Sequence, residues 1–140
     1  MDNYLAAEPL IVARLKARLR GITIQSTWGI PKIQERFDTP PAVLLLLEED
    51  RPGEVILCGT AQKIEQIWTC IVMVKESTDG AGEWISQVIQ AMNGWQPDGT
   101  TDGTLFTPFK RVPSGFKHDT APTGAVYFPL AFATSFIFTL

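Results

Sequence analysis

Residues Gln62–Trp95, QKIEQIWTCIVMVKESTDGAGEWISQVIQAMNGW, decide the fold. From about Lys63 to Lys75 the alternation predicts one long strand. One face carries Ile64, Gln66, Trp68, Cys70, Val72 and Val74. The other carries Glu65, Ile67, Thr69, Ile71 and Met73, polar at its ends and apolar in the middle. A strand apolar on both faces is either central in its sheet or covered on the second face by another subunit. After a loop over Ser77 to Gly82, Trp84, Ile85, Val88, Ile89 and Met92 recur at helical spacing from Glu83 on. Gly94 is placed to end that helix, which should lie across one face of the sheet. This is core-building sequence, and no base, nucleophile or phosphate loop sits in it.

Working outward, Leu10, Ile11, Leu15, Leu19 and Ile22 form one stripe of a helix over about Leu5 to Arg20. Pro9 fits only the first turn, so the regular helix should start near Glu8, with Gly21 as its C-cap. Ile22 to Ser26 fits a short strand, and Pro31 to Arg36 is open between turn and short helix. Val43–Leu47 reads as a strand with both faces covered, paired with Glu54 to Gly59 through a type II turn at Arg51-Pro52-Gly53-Glu54. In such a hairpin Cys58 would face residues near 64 to 66 and Cys70 residues near 52 to 54, leaving both thiols free. Gln96 to Gly124 is turn-rich, with only Leu105 to Val112 extended. So long a loop usually serves function or partner contact. At the C-terminus Phe128, Leu130, Phe132, Thr134, Phe136, Phe138 and Leu140 alternate with smaller residues, and Pro129 marks a bulge or an edge.

The composition bounds the function. A chain of 140 residues, 45% hydrophobic and 19% charged, suits one ordered domain spanning 1–140. A net charge of -3, with scattered basic residues, gives no footprint for gripping nucleic acid. The N-terminus lacks the charged and apolar regions of a secretion signal, and the apolar tail from Ala125 is too short to span a membrane as a helix. The two cysteines are too far apart for a CxxC motif and read as reduced thiols of a cytoplasmic protein.

No stretch of the chain carries a recognisable catalytic or ligand-binding motif. His118 is the only histidine, and it lies in a polar loop without a recognisable Ser or Cys nucleophile. Glu48, Glu49 and Asp50 lack the further ligands of a calcium loop and read as solvated charges of a hairpin tip. The run from Pro97 to Thr104 reads as two successive turns. Gly80 and Gly82 precede a helix, where anions bind, yet Asp79 and Glu83 would repel phosphate. Trp28, Trp68, Trp84 and Trp95 read as core or interface residues. No catalytic residue, cofactor site or metal site is assigned.

The order of segments is more informative. Ile11-x-x-Arg14-Leu15, the strand start Pro40 to Val43, and Gln66-x-Trp68-x-x-x-Val72-x-Val74 come in sequence. Gly82-x-Trp84-Ile85-x-x-Val88, Gly94-Trp95-x-Pro97 and Tyr127-x-Pro129-Leu130-x-Phe132 follow. Over nearly the whole chain this pattern resembles the tail terminator, or tail completion, proteins of long-tailed bacteriophages and prophages, including the Mu-like branch. The resemblance implies an α+β fold, a largely antiparallel sheet with the N-terminal helix and a second helix at about 83–93 packed on it. It also implies a structural virion protein rather than an enzyme. Such a protein would be assembled in the host bacterial cytoplasm and form a ring, usually hexameric, on the head-proximal end of the tail tube. The ring would stop tube polymerisation and receive the head-side connector, while DNA passes through without specific binding.

On that reading Glu65, Ile67, Thr69 and Ile71 are expected to pack between subunits, and Lys110, Arg111, Phe116 and Lys117 to touch partner rings. Each set has a plain alternative, an ordinary core for the first and a solvated loop for the second. Another neck or head-tail joining protein is the nearest competing function; a small cytoplasmic ligand-binding domain or enzyme is the competitor from a different class.

Overall fold

The computed structural model describes residues 3–27, 41–75, 80–98, 104–120 and 125–140. Helix α1 (Ala7–Arg18) is followed by strands β1 (Thr23–Ser26), β2 (Ala42–Ile56) and β3 (Ala61–Lys75). Helix α2 (Ala81–Met92) precedes β4 (Lys110–Val112), β5 (Asp119–Thr120) and β6 (Ala125–Thr139). The sheet runs β1-β2-β3-β6-β4, with β5 also on β6. Among the described residues only β1 with β2 is parallel. This is the expected α+β class. The turn-or-helix ambiguity at 31–36, Trp28 and most of the 97–104 run lie outside the described residues.

β3 is the central strand. It pairs along its length with β2 on one side and β6 on the other, so both its faces are buried through Ile67, Trp68, Thr69, Cys70, Ile71, Val72, Met73 and Val74. Its first face, with Val43, Leu45, Leu130, Phe132 and Phe136, meets the helices, where Ile11, Leu15, Val88 and Met92 are buried against it. Burying side chains of this kind contributes roughly 1.5–3 kcal/mol each before entropy is charged. The second face gathers Ala42, Leu44, Leu46, Ile71, Met73, Ala125 and Tyr127, with Phe116 packed against it.

Two motifs are explained by packing. In Gln66-x-Trp68 the indole N–H donates to Gln66 Oε1 at 3.2 Å, and the Gln66 amide donates to the Tyr4 carbonyl at 3.2 Å. A buried amide is thereby satisfied in an apolar layer. In Gly94-Trp95, Gly94 takes φ +81 as the chain leaves α2, and its N–H donates to the Phe109 carbonyl. Trp95 then stacks on Phe109 at 5.4 Å, and the Arg14 guanidinium lies 5.4 Å over the indole. Arg14 Nε donates to the Ala91 carbonyl, which ties α1 to α2. Burial lowers the Arg14 pKa, with Arg18 adding repulsion.

The hairpin differs from expectation. β2 does not turn at Arg51–Glu54 but runs on to Ile56, and the turn is Leu57–Thr60. Beyond Leu45 no described strand covers the outer side of β2, so Pro52, which lacks an N–H, is tolerated there. Gly53 falls where the register slips between Pro52 and Val55, and a Cβ on it would lie 2.9 Å from the Lys63 carbonyl oxygen. Pro-Gly therefore marks a bulge. The shift also moves the thiols: Cys58 sits in the turn, and Cys70 faces Leu45 and Leu130. Both are free, as expected. Helix α1 ends on Leu19 rather than Gly21. Of Leu105–Val112 only Lys110–Val112 is strand, though Thr107 also bonds along β6 at Ser135. Pro129 lies between the β4 and β5 pairings of β6, a local edge.

Candidate interaction surfaces

Nothing among the described residues assembles into a reaction centre. His118 is exposed and stacks on Phe128 at 5.9 Å. No group of three or more His, Cys, Asp or Glu is placed to hold a metal among those residues. Gly80, Ala81, Gly82, Glu83, Ser86 and Gln87 line an open depression at the start of α2. The Glu83 carboxylate folds back over that start, 3.6 Å from where a Cβ on Gly80 would lie, and puts negative charge where an anion would bind. Cys70 is buried in apolar surroundings that push its thiol up to about 12, so it is no nucleophile.

The three adjacent carboxylates have separate tasks. Glu48 is a clamp: it accepts from Thr69 Oγ1 at 2.9 Å, from the Ser114 hydroxyl, and from the Gly115 N–H at 3.1 Å. This ties residues 114–115 across the second face of the sheet and holds Phe116 on its apolar cluster. Glu49 and Glu65 both pair with Arg51, whose pKa is raised by those two contacts, Glu49 first. The two carboxylate oxygens of Asp50 share the one proton of the Tyr4 hydroxyl, at 2.8 and 2.9 Å.

The first expected interface row divides accordingly. Ile67, Thr69 and Ile71 are buried within the single chain, and the chain itself accounts for their apolar surroundings. Glu65 alone of that row keeps a side chain substantially in solvent, 41% exposed. The second set divides too. Lys110 and Arg111 are exposed on the lateral strand β4 and Lys117 is exposed beyond it, whereas Phe116 is half-buried in its own chain.

A third group carries no signal in the sequence and becomes visible only in the fold. The large exposed hydrophobics among the described residues are Val55, Ile56, Leu57, Leu105, Ile137 and Leu140. They collect at the far end of the sheet, where β2, β3 and β6 project beyond the covered second face as an arm. Ile56 lies opposite Ala61, Ala61 opposite Thr139, and Ile137 opposite Lys63. Thr107 bonds to Ser135 and Phe106 packs on Phe136 at 5.4 Å, which brings Leu105 to the level of Ile137. Leu57 and Cys58 both hold positive φ, +52 and +55, in this exposed turn. Such strain at an apolar tip is what a contact site tends to show.

A family model described as phage tail terminator protein matches residues 1–140. No curated protein matches the sequence. Among solved structures, a chain of the virion of a native gene transfer agent particle is similar, with a TM-score of 0.53 at 10% identity. The match covers 96% of this chain and 89% of that one. At that identity the likeness speaks to the fold.

Proposed function

Since the chain belongs to the phage tail terminator family, a family of structural tail proteins, we propose that it closes the head-proximal end of a tail tube. Copies form a closed ring, hexameric on this reading, that stops tube polymerisation and offers the head-side connector a docking surface. The observation that carries this is the family match over the whole chain. The arm supports it, because exposed apolar side chains gathered at one end of a sheet suit a protein completed by assembly. The net charge of -3 suits a passage through which DNA slides without being held. Assembly would take place in the host cytoplasm, with the 140 residues folding as one unit.

Within this reading Lys117, beside the segment that crosses the second face, is the residue of the basic set best placed for a partner ring. Lys110 and Arg111, on a lateral strand, suit a neighbouring subunit better. Deleting the gene in its phage and imaging the tails tests the function. Overlong or headless tails are expected, and tails of normal length with heads attached refute it. Native mass spectrometry tests the ring, which a stable monomer at high concentration would contradict.

A further inference from the structure

The strand register places opposite charges in one row at opposite edges of the sheet. Glu49 on β2 lies opposite Ile67, Ile67 opposite Ala133, and Ala133 opposite Lys110 on β4. Three strand spacings of about 4.8 Å put the two backbones roughly 14 Å apart. That exceeds the screening length of about 8 Å at physiological salt, so Lys110 is not neutralised across the row; Glu49 is itself paired with Arg51, and the acidic excess belongs to its whole edge. The asymmetry extends beyond this row. Residues 48–65 carry five acids, Glu48, Glu49, Asp50, Glu54 and Glu65, against two bases, Arg51 and Lys63. Residues 104–120 carry three bases, Lys110, Arg111 and Lys117, and one acid, Asp119.

Apolar residues follow the same order on both sides. Moving from the tip of the arm inward, the β2 edge reads Leu57, Ile56 and Val55, then Glu54, Arg51, Asp50 and Glu49, acidic on balance. The opposite flank reads Leu105, then Lys110 and Arg111. We propose that these edges are the two halves of one contact, by which the β2 edge of one copy of this chain packs on the Leu105–Arg111 flank of the next. Two copies side by side in the same orientation bring apolar to apolar and acid to base. Turning one copy so that like edges meet sets acid against acid, which is unfavourable. The contact is therefore heterologous, leaves one unused edge at each end, and closes when the rotation per copy returns to the start.

The contact is made by side chains rather than by strand addition. Beyond Leu45 the outer side of β2 carries no described strand. On the other flank, however, Asn93 Oδ1 already accepts from the Arg111 N–H, and Trp95 accepts from the Phe109 N–H. The inference rests on the ring reading and supplies its lateral surface.

Charge reversal tests it, with association followed by sedimentation velocity at several salt concentrations and folding by circular dichroism. Lys110→Glu with Arg111→Glu, and separately Glu49→Lys with Glu54→Lys, should each weaken association at least about tenfold in low salt. The four changes together should recover most of it. If the Glu49 change unfolds the arm, Glu54→Lys alone carries the acidic half of the test. An unaltered chain that associates while both folded reversals leave association unchanged overturns this contact and leaves the ring intact. An unaltered chain that stays monomeric at high concentration overturns the ring and this contact together.

Discussion

Replacing Glu48 with Ala should detach the segment that covers the second face of the sheet. Its carboxylate accepts three hydrogen bonds, from Thr69, Ser114 and Gly115, the last two about 66 residues away in sequence. Hydrogen bonds to a charged group contribute about 1.5–3 kcal/mol when well buried. Here Glu48 is half-buried and the Gly115 bond is exposed, so each is nearer the low end. The three share one acceptor and do not add fully. Loosening Phe116 from its apolar cluster contributes roughly a further 1 kcal/mol of lost burial. The expected loss is about 2–4 kcal/mol, or a fall of about 1–2 M in the urea midpoint at an m-value near 2 kcal/mol/M. Glu48→Gln keeps an acceptor and should lose about half as much. Hydrogen exchange locates the effect: the Gly115 amide should lose protection while the Trp84–Met92 amides of α2 keep theirs. A change under about 0.5 kcal/mol, with Gly115 still protected, refutes the clamp.

Other measurements reach other parts of the fold. Native protein should react with a maleimide at Cys58 only, because Cys58 is exposed and the buried Cys70 thiol is pushed up to about 12; mass spectrometry showing both modified at neutral pH contradicts the packing of β3. The Tyr4 hydroxyl is raised to about 12, first by burial and then by its bond to Asp50, so its neutral form is favoured in the folded state. Its stabilising contribution is complete below the ordinary value of 10 and fades as pH rises through about 12. Tyr4→Phe should therefore flatten the alkaline loss of stability between those values, and an unchanged profile counts against the contact. Leu57→Gly should raise stability by about 0.5–1 kcal/mol in thermal unfolding, since glycine accepts positive φ without penalty. Destabilisation there would mean that the leucine packs in the isolated chain.

The parts of the fold that sequence could reveal are those encoded in side-chain period. The two rows of β3, the large-small alternation of β6 and the stripe of α2 each report a face, and each face is buried as its period demands. The hairpin was illegible because Pro52-Gly53 carries the same local chemistry in a bulge as in a type II turn. What separates the two is pairing with β3, a property of residues ten or more positions away. The true turn, Leu57–Thr60, offers only Gly59 as a signal. Period likewise shows that the second face of β3 is apolar, but not that Phe116, some 45 residues onward, packs against it. The candidate contact has the same character. Lys110 and Arg111 stand out as basic residues in a long loop, whereas Glu49 reads as a solvated charge until the register sets it in the Lys110 row.

An arm that waits for a neighbour must hold its shape before the neighbour arrives, or association has to offset the entropy of ordering it. The described contacts supply that order. Tyr4 packs edge-on against Phe136 at 5.7 Å and Phe138 at 5.2 Å, while its hydroxyl holds Asp50 and its carbonyl accepts from Gln66. These contacts join the turn before α1 to all three strands of the arm. Gln66 also donates to Asp50 at 3.3 Å, which fixes β2 to β3 where no other described strand supports β2. The covered body and the open arm thus share one polar hinge-point at Gln66, buried and fully bonded. An arm so held, with Leu57 and Cys58 as the positive-φ non-glycine residues among those described, can present an apolar tip and an acidic edge in fixed register. Fixed register is what the row from Glu49 to Lys110 requires if one copy is to recognise the next.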